Sequence, residues 1–165
     1  MKSTKTFTTF QLTALVLLRV LIGWHILYEG ISKLLTPNWS SALFLSDSQW
    51  ILSGFSNWIT SNDGILSMVD FLNTWGLIAI GAGLILGLFT RLAAYAGMGL
   101  LFMYYLNNIP LIGLEYSIPA EGNYLIVSKT LIEAAALLVL AVFPTGSVFG
   151  LDIFISRFTK SKNDE

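Results

Sequence analysis

Five ionisable residues lie inside long apolar stretches of this sequence, and they are the first candidates for chemistry. Arg19, His25 and Glu29 interrupt one stretch, and Lys129 and Glu133 interrupt another. Both stretches are long enough to cross a lipid bilayer, where an unpaired charge costs several kcal/mol. Charges kept at such a depth either pair helices with one another or form a polar site within the membrane.

His25 is the only histidine, and its setting makes it the first candidate for proton transfer. His25, Glu29 and Lys33 are spaced i, i+4, i+8, so they share one face of a helix. Lys129 can donate hydrogen bonds to a carbonyl or an anion. We therefore predict His25, Glu29 and Lys129 as catalytic residues. The alternatives are a hydrogen-bonded packing role for His25 and a helix-end pair between Glu29 and Lys33.

The elements that must position these residues are membrane-spanning helices. The sequence is 55% hydrophobic and 12% charged, with a mean hydropathy of +0.71, which is typical of a membrane protein. Its 165 residues leave room for about four spans of roughly 20 residues each. We predict an all-α membrane four-helix bundle that forms one domain over residues 1–165, with spans at about 8–34, 66–89, 92–108 and 122–143.

The segment 38–63 differs from the rest, because it is rich in Ser and Asn and holds three of the five tryptophans. Tryptophan favours the headgroup level of a membrane, so the segment predicts an interfacial outer loop of short amphipathic helices. A lid over the bundle is the alternative. The tail from Gly150 onward, GLDIFISRFTKSKNDE, predicts a short C-terminal amphipathic segment followed by a polar end.

Basic residues predict the orientation of the chain. With four spans, one side of the membrane carries six of them: Lys2, Lys5, Arg91, Arg157, Lys160 and Lys162. The other side carries Lys33 with four acidic residues: Asp47, Asp63, Glu115 and Glu121. Because basic residues are enriched on the cytoplasmic side, we expect both termini in the cytoplasm.

The rise along a helix predicts which charges lie at the same depth. Counted from the cytoplasmic boundary, Arg19 lies about 16 Å and Glu133 about 15 Å into the membrane. We therefore predict that the first and fourth helices pack together, with a structural ion pair between Arg19 and Glu133. The second span contains four glycines that predict a close approach by a neighbouring helix: Gly76, Gly81, and the small-residue pair Gly83 and Gly87.

A second polar layer is predicted in the outer half of the bundle. By the same count, its members lie about 20–30 Å from the cytoplasmic boundary. We predict them as cofactor-binding residues: His25, Asn73, Tyr104, Tyr105, Asn123 and Lys129. For Asn123, together with Glu121, the alternative is a cap at the start of the fourth helix.

The composition argues against several other sites. The sequence has no cysteine and one histidine, which argues against a tightly held transition metal or a haem with two histidine ligands. A net charge of −1 gives no argument for nucleic acid binding. The glycine-rich run GAGLILG lies inside an apolar helix with no strand before it, so it does not predict a dinucleotide site.

The sequence resembles the DoxX family, which includes the small DoxD subunit of thiosulfate:quinone oxidoreductase. The matching pieces are RVLIGWHILYEGISKL, NTWGLIAIGAGLILGLFTRLAA, EGNYLIVSKTLIEAAALLVLAVFPTG and FGLD, in that order. The resemblance implies a four-helix protein of the bacterial inner membrane. Some members are tied to quinone-linked oxidation of reduced sulfur and others to defence against oxidative or thiol stress. Ser128 and Thr130 stand where close relatives are expected to have Asn.

Three functions follow as hypotheses, and whether the protein is itself an enzyme stays open among them. In the first, it is a quinone-interacting subunit of a redox system, where His25, Lys129 and Tyr104 or Tyr105 donate hydrogen bonds and Glu29 relays protons. It would then need a redox partner protein or a second copy of itself. The others are a non-catalytic membrane scaffold, whose outer loop docks a partner, and a carrier of small solutes or ions.

Overall fold

The computed structural model describes residues 7–111, 113–114, 116 and 123–153. This part of the chain is predominantly helical, as the sequence predicts. Its elements, in order, are α1 (Thr9–Leu35), α2 (Ala42–Ser46), α3 (Ser53–Thr60), α4 (Asp63–Leu86), α5 (Thr90–Asn107), β1 (Asn123–Tyr124), β2 (Val127–Ser128) and α6 (Lys129–Val142). The two strands form an antiparallel hairpin in which Asn123 pairs with Ser128.

Two of the described helices, α1 and α4, are long and apolar enough to cross a membrane, judged by length and composition. They contain 27 and 24 residues, which corresponds to about 40 and 36 Å. The shorter helices α5 and α6 contain 18 and 14 residues. That all four cross the membrane stays a prediction.

Local chemistry fixes the ends of α1 and α4. The side chain of Thr8 accepts a hydrogen bond from the Gln11 backbone N–H, and the Gln11 side chain accepts one from the Thr8 N–H. This reciprocal capping box satisfies two donors at the start of α1. At the end of α4, Gly87 adopts a left-handed conformation with φ of 65°, which glycine allows without strain.

The closest helix contact joins α1 and α4 and depends on glycine. A Cβ atom at Gly81 would lie 2.5 Å from the backbone nitrogen of Leu27, so no larger residue fits there without a shift. Gly23 and Gly30 are similarly close to α4. The predicted close approach is therefore confirmed at Gly81. Gly83 faces Leu88 and Ala93 instead, and Gly87 ends the helix beside Gly150 and the Arg19 side chain.

The helices pack as two pairs, α1 with α4 and α5 with α6, and α4 also contacts α5. A shared core of buried side chains includes Ile26, Leu77, Leu84, Leu101, Leu137 and Leu140. By contrast, α1 and α6 touch sparingly. The first and fourth long helices thus contact each other, as predicted, but α1 packs mainly against α4.

The fourth long helix, α6, begins at Lys129 rather than near residue 122. The residues before it form the hairpin, whose turn holds Leu125 in a left-handed conformation with φ of 60°. Ser128 caps the helix, because its Oγ accepts a hydrogen bond from the Leu131 N–H at 3.2 Å. The cap predicted at Asn123 is therefore replaced by Ser128, and Glu121 lies outside the described residues.

The tryptophan-rich segment contains two short helices, α2 and α3, and is anchored to the end of α5. Asn107 donates a hydrogen bond to the Phe44 carbonyl oxygen at 2.8 Å, and Ser56 donates one to Asn107 Oδ1 at 2.7 Å. On the outside of α3, the rings of Phe55 and Trp58 stack and are exposed. The interfacial position of this segment stays a prediction.

Several sequence predictions fall on residues outside the described part of the chain. These are the polar C-terminal tail beyond Ile153 and most of the charges that predict orientation: Lys2, Lys5, Glu115, Glu121, Arg157, Lys160 and Lys162.

Candidate functional site

The side chains of His25 and Glu133 are in hydrogen-bond contact between α1 and α6. The imidazole Nδ1 of His25 lies 2.8 Å from Glu133 Oε1. The histidine side chain is 48% exposed, whereas the glutamate side chain is 14% exposed. The pair thus combines a sheltered carboxylate with an imidazole that is open to the surroundings of the helices.

The direction of helical side chains explains why these two residues meet. Side chains on a helix lean toward its N-terminus. In the predicted topology α1 begins at the cytoplasmic side and α6 begins at the outer side. His25 therefore leans toward the cytoplasmic side, and Glu133 leans toward the outer side. By residue count the backbone of His25 lies farther from the cytoplasmic boundary than that of Glu133, and the leaning brings the two side chains together.

The same leaning separates Arg19 from Glu133, so the predicted ion pair between them is not formed. Arg19 is 2% exposed and uses its guanidinium elsewhere. Nη1 donates a hydrogen bond to Thr145 Oγ1 at 2.9 Å, and Nη2 donates one to the Phe149 carbonyl oxygen at 2.7 Å. Asp152 also lies within electrostatic reach of the guanidinium.

Arg19 belongs to a cluster that joins the α4–α5 turn to the segment after α6. Asp152 accepts hydrogen bonds from the backbone N–H groups of Phe89 and Thr90 at 2.7 and 3.1 Å, and from the Thr90 hydroxyl at 2.8 Å. Its carboxylate thereby caps α5. Glycine at 146 is required here, because a Cβ atom would collide with Thr90 Oγ1 and Asp152.

Sequence reasoning named Arg19 but not its partners Thr145, the Phe149 carbonyl and Asp152. The signal was present in FPTG and FGLD, which carry the Thr, Gly and Asp of the cluster. A main-chain acceptor such as the Phe149 carbonyl leaves no side-chain signature, so that contact could not be identified from residue types.

The residues of the predicted outer polar layer do not form one site. His25 contacts Glu133, whereas Asn73 and Tyr104 lie around Lys33. Lys33, rather than His25, is the partner of Asn73, with its Nζ 3.2 Å from Asn73 Oδ1. The same ammonium lies 5.1 Å from the centre of the Trp39 ring and 5.3 Å from that of Tyr104. The Tyr104 hydroxyl is buried and makes no hydrogen bond of good geometry with the described residues.

The remaining predicted site residues lie around these centres. Tyr105 is buried and donates a hydrogen bond to the Ile126 carbonyl oxygen at 2.8 Å, which ties α5 to the hairpin. Glu29 is exposed one turn beyond His25, and Lys129 is exposed one turn before Glu133. The backbone of Asn123 lies in β1, and its side chain lies outside the described residues.

The His25–Glu133 pair can hold and move one proton. A carboxylate beside Nδ1 favours the tautomer that carries hydrogen there, which leaves Nε2 as an acceptor. Protonation at Nε2 converts it to a donor, and Glu133 stabilises the resulting imidazolium. Among the described residues, no group of three or more His, Cys, Asp or Glu side chains is placed to hold a metal ion.

Comparison with protein family models tests the resemblance to the DoxX family. The family model described as DoxX matches residues 14–106, which is more than half of the chain. The chain belongs to the DoxX family. Comparison with curated proteins and with solved structures gives no match.

Membership of the DoxX family, together with the apolar helices α1 and α4, indicates a membrane protein. The matched region contains Arg19, His25, Lys33, Asn73 and both candidate tyrosines. Glu133 and the partners of Arg19 after α6 lie beyond it. The site therefore joins residues of the matched DoxX region to residues that follow it in the chain.

Proposed function

We propose that this protein binds a quinone beside the His25–Glu133 pair and acts as the membrane subunit of a quinone-linked redox system. The observation that supports the proposal most strongly is the 2.8 Å contact between a half-exposed imidazole and a sheltered carboxylate. On a helix that crosses a bilayer, such an imidazole is accessible from the lipid phase, where quinones dissolve. In this proposal the protein lies in the bacterial inner membrane with both termini in the cytoplasm.

The surface around the pair suits a quinone. A quinone ring is apolar but carries carbonyl oxygens that accept hydrogen bonds, so it needs a donor set in an apolar surface. His25 supplies the donor when its Nε2 is protonated. Exposed Trp24 and Tyr28 on α1 and Ile132 on α6 supply aromatic and apolar surface. Tyr28 is three residues from His25 and so lies on the same side of α1.

In this proposal His25 exchanges a proton with the quinone, and Glu133 orients and stabilises the imidazole. Nε2 accepts a proton in one direction of the reaction and delivers it in the other, while Glu133 holds Nδ1–H. Glu29 and Lys129 continue the polar surface toward the outer ends of their helices, because each is four residues from a member of the pair. Glu29 is thereby placed as a proton relay to the outer surface, and Lys129 as a second donor.

A bound quinone would supply two-electron, two-proton redox chemistry, and its electrons would come from or pass to a partner protein. The resemblance to DoxX proteins points to reduced-sulfur oxidation or to stress-linked oxidation as the setting. Neither setting follows from the geometry of the pair, which supports quinone binding and proton transfer.

Quinone content tests the proposal. The protein is extracted with native lipid, and quinone per protein is measured by mass spectrometry for the wild type, His25→Phe, Glu133→Gln and Lys129→Ala. Asp63→Asn is the matched control for the carboxylate, because Asp63 is exposed at the start of α4. We expect one quinone per wild-type chain or site, at least tenfold less in the His25 and Glu133 variants, and no change in the control. Equal quinone content in all folded variants would rule the site out.

The scaffold hypothesis remains the second candidate, because the Arg19 cluster is structural in every contact it makes. The exposed rings of Phe55 and Trp58 on α3 would then dock a partner protein. In that case His25→Gln leaves function unchanged, whereas crosslinking in cells captures one partner at fixed stoichiometry. Loss of that partner on Trp58→Ala, with quinone absent from the purified protein, would favour the scaffold.

A further inference from the structure

An open cavity of about 270 Å³ lies where the end of α1 faces the first half of α4. The cavity is open to the surroundings and has room for a small polar ligand. Its lining includes one cation, Lys33, one anion, Asp70, and the rings of Trp39, Phe71 and Trp75.

Lys33 is fixed at the wall of this cavity. Its Nζ is held by Asn73 and lies over the rings of Trp39 and Tyr104. Glu29 on the preceding turn is near enough to interact with it electrostatically. An ammonium has three N–H donors, and Asn73 takes one of them, so donors remain for a ligand.

Asp70 is fixed at the wall from the other helix. Its Oδ1 accepts hydrogen bonds from the Ser41 N–H at 2.8 Å and from the Ser41 hydroxyl at 2.5 Å. Both bonds go to one oxygen, and no residue that the structure describes donates to Oδ2. The carboxylate is therefore held in place with one oxygen left for a ligand.

Lys33 and Asp70 line the same cavity without forming an ion pair with each other. Opposite charges that are each anchored by neighbours and kept apart across a space are complementary to a molecule that carries both charges. The exposed rings of Phe71 and Trp75 add surfaces that attract a cation.

We propose that this cavity binds a zwitterionic ligand, with an anionic group at Lys33 and an ammonium group at Asp70. The cavity lies near the end of a span, since Lys33 is two residues from the end of α1 and Asp70 is seven residues into α4. Tryptophan also favours the headgroup level. A phospholipid with an ethanolamine headgroup carries both charges at that level. This inference does not depend on quinone binding at His25.

Native mass spectrometry of the delipidated protein tests the proposal. The probes are an ethanolamine phospholipid and a glycerol phospholipid with the same acyl chains, because the second has the phosphate but no ammonium. We expect the ethanolamine lipid to bind at least tenfold more tightly. Equal affinity for the two lipids would overturn the zwitterion assignment without any variant.

Two variants test the named charges. Lys33→Met and Asp70→Asn are each expected to weaken binding of the ethanolamine lipid by about tenfold to a hundredfold, because each removes a charge-assisted contact. Asparagine keeps the oxygen that binds Ser41, so Asp70→Asn preserves that anchor. Arg91→Met and Asp63→Asn, at exposed positions elsewhere, are the matched controls. Unchanged binding in both folded cavity variants would overturn the proposal.

The zwitterion that binds in the cavity could be a lipid headgroup or a soluble molecule. Binding of soluble phosphoethanolamine distinguishes the two. If the lipid binds more tightly, the cavity is a headgroup site. If phosphoethanolamine binds as tightly as the lipid, the cavity is a site for a soluble zwitterion, and the charge assignment still holds. Failure of both probes to bind would contradict the inference and leave the quinone proposal untouched.

Discussion

The imidazole Nδ1 of His25 lies 2.8 Å from Glu133 Oε1, and this contact joins α1 to α6 where the two helices otherwise touch sparingly. A few contacts must then carry the interaction between these helices. The pair is consequently important for the position of α6 as well as for the chemistry proposed for the site.

A double-mutant cycle measures that interaction. We expect His25→Gln and Glu133→Gln to show a coupling energy between about 0.5 and 3 kcal/mol, because the side chains are in direct contact. Arg19→Met with Glu133→Gln should be additive within about 0.5 kcal/mol, because these residues have different partners. The free energy of unfolding in mixed micelles gives both values. Coupling in the second cycle but not in the first would contradict the observed pairing.

Removal of the Arg19 guanidinium is expected to destabilise the protein more than any other single charge change. Arg19→Met should lower the free energy of unfolding by about 3 kcal/mol or more, because two charge-assisted hydrogen bonds of about 1.5–3 kcal/mol each are lost. Arg91→Met, at an exposed position, should change it by less than about 0.5 kcal/mol. Similar values for the two variants would show that the Arg19 cluster does not stabilise the fold.

Two glycines of α4 provide a matched test of the α1–α4 contact. Gly81→Ala should destabilise the protein by about 1–3 kcal/mol, because the added Cβ would overlap the backbone of Leu27. Gly76→Ala should be neutral or stabilising, since no atom lies within 4 Å of its added Cβ. Thermal unfolding in detergent compares the two, and a larger loss at Gly76 would place the contact elsewhere.

The Tyr105 hydroxyl offers a local test of the hairpin. Tyr105→Phe removes the hydrogen bond to the Ile126 carbonyl and should cost about 1 kcal/mol. Faster amide hydrogen exchange is expected in residues 123–128, with little change in α1 and α4. Tyr95→Phe, at an exposed position, is the control, and equal exchange in both variants would contradict the role given to the hydroxyl.

Apolar length predicts the helix positions well where a stretch ends at a clear signal. Residues 8–34 are expected to be helical and α1 covers Thr9–Leu35, between a capping threonine and Pro37. The fourth helix is different, because LIVS before Lys129 is as apolar as the helix itself. The positive φ of Leu125 and the Ser128 cap are local backbone features that hydropathy does not report.

Depth along a helix identifies the level of a charge but not its partner. Arg19 and Glu133 are level by residue count, yet Arg19 takes its partners from the segment after α6, whereas Glu133 takes His25 on α1. The sequence predicts Lys33 at a helix end. In the structure its Nζ contacts Asn73 and lies over the ring of Tyr104, and both of these residues are distant from it in sequence. Such contacts depend on how loops and helices pack against one another. Residue spacing within one helix does not predict that packing.

Photolabelling with an azidoquinone in native lipid tests the central claim most directly, because it reports where a quinone sits on the folded protein. The account predicts labelled peptides from α1 around His25 and from α6 around Glu133, with labelling suppressed by excess unlabelled quinone and lost in Glu133→Gln. Labelling confined to the cavity beside Lys33 and Trp75, or unchanged in Glu133→Gln, would contradict it.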